Sequence, residues 1–312
     1  MNDSKIPKVS ILVRSFNELP NLKILLPILD NQSYKNFQVV YLDSGSTDGS
    51  LEYVKKYEAK FEMIIDKIKK EDFTYGGALN KCAELAIGSD YLISLSAHCF
   101  PTQNKFIENY VKIFQQNNSD IVFGRQVGYS KSSLSESSHL NNWFKEDYAD
   151  KIFPFINNGN AGYPYYFWKK YKFDSSLTGC EDIEIANRGL VNYCKITYGK
   201  DITVEHYHEE NSRQIYNRFY REAIAISQIF PGKFKMPICK CAMKFTQDVK
   251  DSLKFRKLTQ LYKKNNIISI LNYFFMKNIA QYFGLKGSKN KNISEPILDR
   301  EKMFFNKYFF NQ

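Results

Sequence analysis

Apolar and polar positions along the first half of the chain fall into two alternating rhythms. Short runs of branched residues predict strands at Lys8 to Val13 (KVSILV), Gln38 to Leu42, Phe61 to Ile65, Tyr91 to Leu95 and Ile121 to Phe123. Between them, apolar residues recur at helical spacing. Leu22, Leu25, Leu26 and Leu29 mark a helix over Glu18 to Leu29. A second helix runs through Lys56, with Thr47 or Asp48 as its cap. A third covers Ala78 to Ile87 and stops at Gly88. Strand and helix alternate four times with short connections. This predicts an α/β fold with a doubly wound, mostly parallel sheet flanked by helices.

The rhythm fades after Val127. The stretch SKSSLSESSHLNN is polar and reads as a loop, and NNGNAGYPYYFWKKYKFD is rich in glycine and aromatic residues. A helix is predicted over Glu181 to Tyr193 and a strand over Ile202 to Glu205. From Ser212 onward the chain reads as helical, basic and aromatic, and no internal repeat is visible.

Composition adds a boundary. The 312 residues suffice for one large domain, or a medium domain with an appendage. The net charge of +11 is unevenly spread. Residues 213–312 hold 20 Lys and Arg against 6 Asp and Glu, whereas residues 1–212 hold 24 against 27. The shift divides the chain into a region 1–212 and a basic helical C-terminal extension 213–312. No apolar run approaches the ~20 residues of a membrane span. The start, MNDSKIPKVSILV, is too polar for a secretory signal. The 6 cysteines form no CxxC pair, which argues against a disulfide framework or zinc knuckle and for a reducing, cytoplasmic setting.

Chemistry gathers where predicted strands end, the edge at which open α/β sheets bind ligands. Ser15, Asn17 and Glu18 follow the first strand, although Glu18 in the first turn of a helix needs no ligand to explain it. Asp43 and Ser44 follow the second strand; Asp43 is placed to accept hydrogen bonds from a base or ribose, whereas Asp48 reads as a helix cap. Phe73 to Asn80 (FTYGGALN) leads into a helix and carries Gly76 and Gly77, where backbone and ligand can approach closely. The fourth strand ends in Ser96-Ala97-His98. A lone histidine there is ordinarily structural, but three neighbouring polar strand ends make His98 a site candidate.

Five blocks in this order resemble the family 2 glycosyltransferases of the GT-A fold, nearest to the bacterial rhamnosyltransferase-like, surface-polysaccharide branch. They are SFNE at 15–18, LDSGSTDGS at 42–50, FTYGGALN at 73–80, the strand ending LSAHCFP, and CEDIEIANR at 180–188 followed by VEHYH at 204–208. The resemblance implies a nucleoside-diphosphate sugar donor. Asp43 would meet its base or ribose, and Gly76 and Asn80 would lie along the nucleotide. Asp182 would be the catalytic base, with Glu181 bonding acceptor or backbone. His206, or His208, would ligate a divalent cation. One base and no nucleophile implies inversion at the anomeric carbon. The aromatic run Tyr163, Tyr165, Tyr166, Phe167 and Trp168 reads either as an acceptor wall or as core.

One block departs from the family pattern. Ser96-Ala97-His98 stands where the family carries Asp-x-Asp, whose last carboxylate holds Mg²⁺ or Mn²⁺. Imidazole suits Mn, Zn or Fe better than Mg. Either His98 and His206 or His208 hold a softer cation, or no metal takes part and protonated histidines or Lys and Arg balance the diphosphate. The departure keeps open a catalytically degenerate sugar-nucleotide binder, which the Glu181-Asp182 pair argues against. A nucleotidyltransferase would want a glycine-rich loop after the first strand, which SFNE does not supply. The acceptor implied is a glycan or lipid-linked glycan. The basic tail reads as a helical cap or as a contact with the anionic inner face of the plasma membrane, and not as a nucleic-acid surface, for which no motif is present.

Overall fold

The computed structural model describes residues 6–144, 155–233, 236–259 and 266–287. The first half follows the alternation read from the sequence: β1 (Val9–Ser15), α1 (Leu19–Asp30), β2 (Phe37–Asp43), α2 (Ser50–Lys56), β3 (Glu62–Lys67), α3 (Tyr75–Leu85) and β4 (Tyr91–Leu95). Then come β5 (Cys99–Pro101), α4 (Phe106–Asn117), β6 (Ile121–Gly128), α5 (Leu134–Trp143), β7 (Asn160–Pro164), α6 (Tyr165–Tyr171), α7 (Glu181–Val191) and β8 (Ile196–His206). Three long helices follow: α8 (Ser212–Ile229), α9 (Ile238–Thr259) and α10 (Ile267–Gly287).

Among the described residues the strands form one sheet in the order β3-β2-β1-β4-β7-β6-β8-β5. From β3 to β4 every pairing is parallel. Beyond β4 the sheet turns mixed, because β7 runs antiparallel to both β4 and β6. β8 then runs parallel to β6 and antiparallel to β5.

Alternation along β1 divides the core. Val9, Ile11 and Val13 face one cluster with Leu22, Leu25 and Phe106, while Leu12 faces another with Ala78, Ile183 and Ala186. That second cluster also takes in Ala223, Ile226 and Leu285, so α8 and α10 share the core beneath the sheet. A third cluster joins Leu134 of α5 to Phe219 of α8 and Phe274 of α10.

Two sequence expectations change, and one left open is resolved. The polar stretch 130–142 is a helix for most of its length, not a loop. The Ser133 hydroxyl accepts from the Glu136 amide to start α5, and Ser135, Glu136, Ser137 and Ser138 are buried. For Glu136 that polarity is answered inside the protein, by His208, Arg218 and Tyr273. Helix α3 starts at Tyr75, three residues early, because the Thr74 hydroxyl accepts from the Gly77 amide. Of the aromatic run, Tyr163, Phe167 and Trp168 are core, and Tyr166 is exposed.

Candidate active site

The turn after β2 is built from its own polar groups. Asp43 Oδ1 accepts from the amides of Gly45 and Ser46, each at 2.9 Å, and the Ser44 hydroxyl donates to the Ser15 carbonyl at 2.9 Å. Gly45 and Gly49 sit at φ near 90°, open to glycine at little cost. Asn17 Oδ1 accepts from the Thr47 amide, and the Asn17 amide donates to the Ser46 hydroxyl. Asp48 accepts from the first amides of both α1 and α2, at Leu19 and Ser50, as a cap should. Ser15, Asn17, Asp43 and Ser44 therefore stand together at the carboxyl edge of β1 and β2.

Next along that edge, three histidines meet. His98 follows β4, His206 ends β8, and His208 lies just beyond it. His208 Nε2 is 3.1 Å from His206 Nε2 and 3.2 Å from His98 Nε2. Each Nδ1 points outward to an acceptor: Glu18 Oε1 at 2.7 Å for His98, Gln126 Oε1 at 2.7 Å for His206, and Glu136 Oε1 at 3.0 Å for His208. The Gln126 amide is oriented by its own bond, Nε2 donating to Asn157 Oδ1 at 2.9 Å, so its oxygen faces His206. Carboxylates and an amide oxygen only accept, so every Nδ1 carries a proton. With the rings neutral, all three Nε2 atoms are lone pairs facing one another without a donor, an arrangement that a cation satisfies. A metal-binding histidine ordinarily has its other nitrogen held in this way.

The surrounding charges agree. Burial, then the neighbouring His208 and His98, hold His206 well below the usual histidine pKa and keep it neutral. Burial pushes the Glu136 carboxyl up, but Arg218 and His208 outweigh it and hold the group well below the usual range. For Glu18 too, burial raises the pKa and the neighbouring His98 more than reverses it. Glu136 is further held by Arg218 at 3.0 Å and by the Tyr273 hydroxyl. Helices α8 and α10 thereby fix the acceptor that orients His208.

The carboxylate pair opens α7. Cys180, the residue before it, is held in the left-handed region at φ 55°, an uncommon conformation for a side chain of that kind. The buried Glu181 accepts from Arg14 at 3.3 Å and from Asn158 Nδ2 at 3.1 Å. Asp182 Oδ2 accepts from the Asn158 amide at 3.0 Å. Burial first, and then the charge of Glu181, push the Asp182 pKa up to about 7. Two adjacent carboxyls are thus set apart: Glu181 is paired with a cation, and Asp182 is poised to exchange a proton near neutrality.

Both constellations line one cavity of about 380 Å³, with Ser96, His98, Glu181, Asp182, His206 and His208 in its wall. Tyr75, Trp143, Phe144 and Phe155 supply its aromatic side. Gly76 and Asn80 are not in that wall. A Cβ on Gly76 would fall 2.4 Å from the Asp174 carbonyl, so this glycine lets α3 meet the segment before α7. The Asn80 amide is spent on the Phe173 carbonyl at 2.8 Å, the Phe173 amide and the Trp168 indole, each at 3.0 Å. Gln126, Glu136, Asn158 and Arg218 were missed by the sequence reading. For Glu136 a signal existed, since Ser133 and Glu136 have the spacing of a helix-capping pair.

Comparison with known proteins decides the family. The model of glycosyl transferase family 2 matches residues 10–174, more than half of the chain. The chain belongs to this family. It is similar to the glycosyltransferase AglE of Haloferax volcanii, 24% identical over 205 residues that cover 58% of this chain and 66% of AglE. It is also similar to the O-antigen chain rhamnosyltransferase WbaN of Salmonella anatum, 24% identical over 61% of this chain and 62% of WbaN. The match thus spans slightly less than two thirds of either relative. Among solved structures, the mannosyltransferase PcManGT from Pyrobaculum calidifontis, in complex with GDP-Man and Mn²⁺, superposes with a TM-score of 0.60 at 13% identity, covering 89% of this chain and 88% of that one. S. aureus TarS 1–349 in complex with UDP-GlcNAc gives 0.54 at 14% identity, covering 94% and 95%. The fold of this family 2 member is GT-A.

Proposed function

We propose that this protein is an inverting glycosyltransferase that moves a sugar from a nucleoside diphosphate to a hydroxyl of a glycan or lipid-linked glycan in surface-polysaccharide synthesis. The observation that carries the reading is the shared cavity: a carboxyl poised near neutrality and a convergent set of histidine lone pairs face the same space. Asp182 takes the proton of the acceptor hydroxyl. The acceptor oxygen bonds to the anomeric carbon as the bond from that carbon to the diphosphate oxygen breaks, and the nucleoside diphosphate leaves. Attack and departure lie on opposite faces, so the configuration inverts. Glu181 keeps Arg14 and Asn158 in place, and Asn158 in turn holds Asp182. The nucleoside lies along Ser15, Asn17, Asp43 and Ser44, with Ser96 and Glu18 toward the diphosphate.

The histidine set fits a divalent cation of the borderline kind, Mn²⁺ among them, better than Mg²⁺, because its donors are three neutral nitrogens. His98, His206 and His208 would hold it, and it would supply charge to offset the departing diphosphate. PcManGT carries Mn²⁺ with its sugar nucleotide, which supports this reading. Gly76 and Asn80 act at one remove, by setting α3 against the segment that precedes the carboxylate pair.

Helices α9 and α10 suggest where the acceptor is met. Ile267, Ile268, Leu271 and Phe275 are exposed on α10, and Lys250, Lys254 and Lys257 are exposed at helical spacing on α9. Rings of Phe245 and Phe275 join the two helices. An apolar stripe beside a basic one suits an anionic membrane surface. No helix among the described residues is long and apolar enough to cross a membrane. The deciding test of the function is Asp182→Asn. Calorimetry should find nucleoside-diphosphate binding intact while sugar transfer is lost; retained turnover removes Asp182 from the chemistry.

A further inference from the structure

Among the described residues three arginines reach the cavity, and they differ in what answers their charge. Arg14 is spent on Glu181 and, at 2.9 Å, on the Tyr75 carbonyl. Arg218 is spent on Glu136 and, at 2.7 Å, on Glu210. Arg221 follows one turn later on the same face of α8. Its Nε is buried and meets no hydrogen-bond partner, and its guanidinium pairs with no carboxylate among the described residues.

The guanidinium is nevertheless fixed. Its Cζ lies 4.6 Å from the centroid of the Tyr75 ring, a cation–π contact that leaves the N–H edge free. The loop before α7 packs against it: the Thr178 hydroxyl donates to the Arg221 carbonyl at 3.3 Å, and a Cβ on Gly179 would stand 3.6 Å from Arg221 Nε. That loop runs straight into Glu181 and Asp182. A held, unanswered fork of N–H donors matches an oxyanion with two accessible oxygens.

The geometry points to Arg221 as a binding residue for a phosphoryl group carried by the acceptor. The acceptor side rests on Asp182 being the base, since Arg221 borders the loop that presents it. The residue comes from the basic C-terminal region, which thereby contributes to substrate choice as well as to the wall of the cavity.

The test uses the full chain with Mn²⁺ and whichever of UDP, GDP or dTDP stabilises it most, so that the donor's diphosphate site is filled. Inorganic pyrophosphate and geranyl diphosphate are then titrated by calorimetry. Wild type binds one or both, and Arg221→Gln weakens that binding at least tenfold with nucleoside-diphosphate affinity and melting temperature unchanged. Arg221→Lys, which keeps the charge and loses the fork, falls between. Tighter binding of geranyl diphosphate marks a lipid-linked phosphoryl group, and equal binding a water-soluble one; either supports the site. Absence of pyrophosphate and geranyl diphosphate binding to the nucleotide-filled wild type, or an Arg221→Gln variant that loses nucleoside-diphosphate affinity instead, overturns the assignment. A wild type that binds no nucleoside diphosphate at all is a separate result, and it sinks the glycosyltransferase reading.

Discussion

Two polar clusters sit side by side on one sheet edge, and they are organised in opposite ways. In the turn after β2, the hydrogen bonds of Asp43, Asn17, Ser46 and Asp48 close on neighbouring amides and hydroxyls of the chain itself. Around His98, His206 and His208 the outer nitrogens are answered and the inner ones are left facing each other at 3.1–3.2 Å. A closed network specifies a fold. Convergence of like atoms without a donor needs something brought in from outside. The difference separates residues that shape the edge from residues that use it.

The sharpest break would come at the carboxylate pair, the second set that faces outward into the cavity. Loss of a positioned base costs about 10²–10⁴-fold in rate, so Asp182→Asn should lower transfer by that factor. The same group predicts a pH profile. Asp182 works only when ionised, and its pKa is raised to about 7, so transfer should climb as pH rises through that value. A rate that stays flat from about pH 5 to about pH 8 would separate the base from Asp182.

Next in size are the histidines. Mn²⁺ binding measured by calorimetry should disappear in His206→Ala, because removing one of three donors breaks the set. Glu136→Gln tests the reasoning more finely. Arg218 and Tyr273 donate to this side chain, so the amide oxygen would turn toward them and the amide nitrogen toward His208 Nδ1. His208 would then carry its proton on Nε2 and lose its ligating lone pair. Loss of such an outer partner costs about 10–100-fold in metal affinity. Unchanged Mn²⁺ affinity in Glu136→Gln would count against the proton assignment.

These residues also mark the limit of what could be read from the sequence. Strands β1 to β4 and helices α1 to α3 were legible because branched runs and leucine spacing are local signals. So were His98, Glu181 and Asp182, which stand at predicted element ends. Helix α5 was not legible. Its serines and Glu136 look like surface, and only the packing of α8 and α10 over them turns that polarity inward. In the mixed half of the sheet, Ile121 to Phe123 and Ile202 to Glu205 were legible within β6 and β8, but β7 was hidden: it reads Asn-Ala-Gly-Tyr-Pro, with no branched residue to announce a strand. Asn80 sat in a block that implied nucleotide contact, yet its amide joins α3 to Phe173 and Trp168, partners far away in sequence. Long-range partners decide the use of a polar side chain, and a single sequence does not supply them.

The smallest effect expected is in the closed network, and it is the one that bears most directly on the contrast between the clusters. Asp43→Ala leaves the Gly45 and Ser46 amides without their acceptor. Unmade bonds of this kind cost about 1–3 kcal/mol when buried, and less where water can reach the amides. Chemical denaturation should therefore find Asp43→Ala destabilised by up to about that amount. Nucleoside binding to Asp43→Ala weakens as well if Asp43 also touches the ligand. Asp43→Asn separates the two roles, since its amide oxygen still accepts from both backbone groups while its carboxylate charge is gone. Restored stability with weakened nucleoside binding would give Asp43 a place in the site as well as in the turn. Restored stability with full binding would leave it a turn residue alone, and the line between the two clusters would then fall between Asp43 and Glu18.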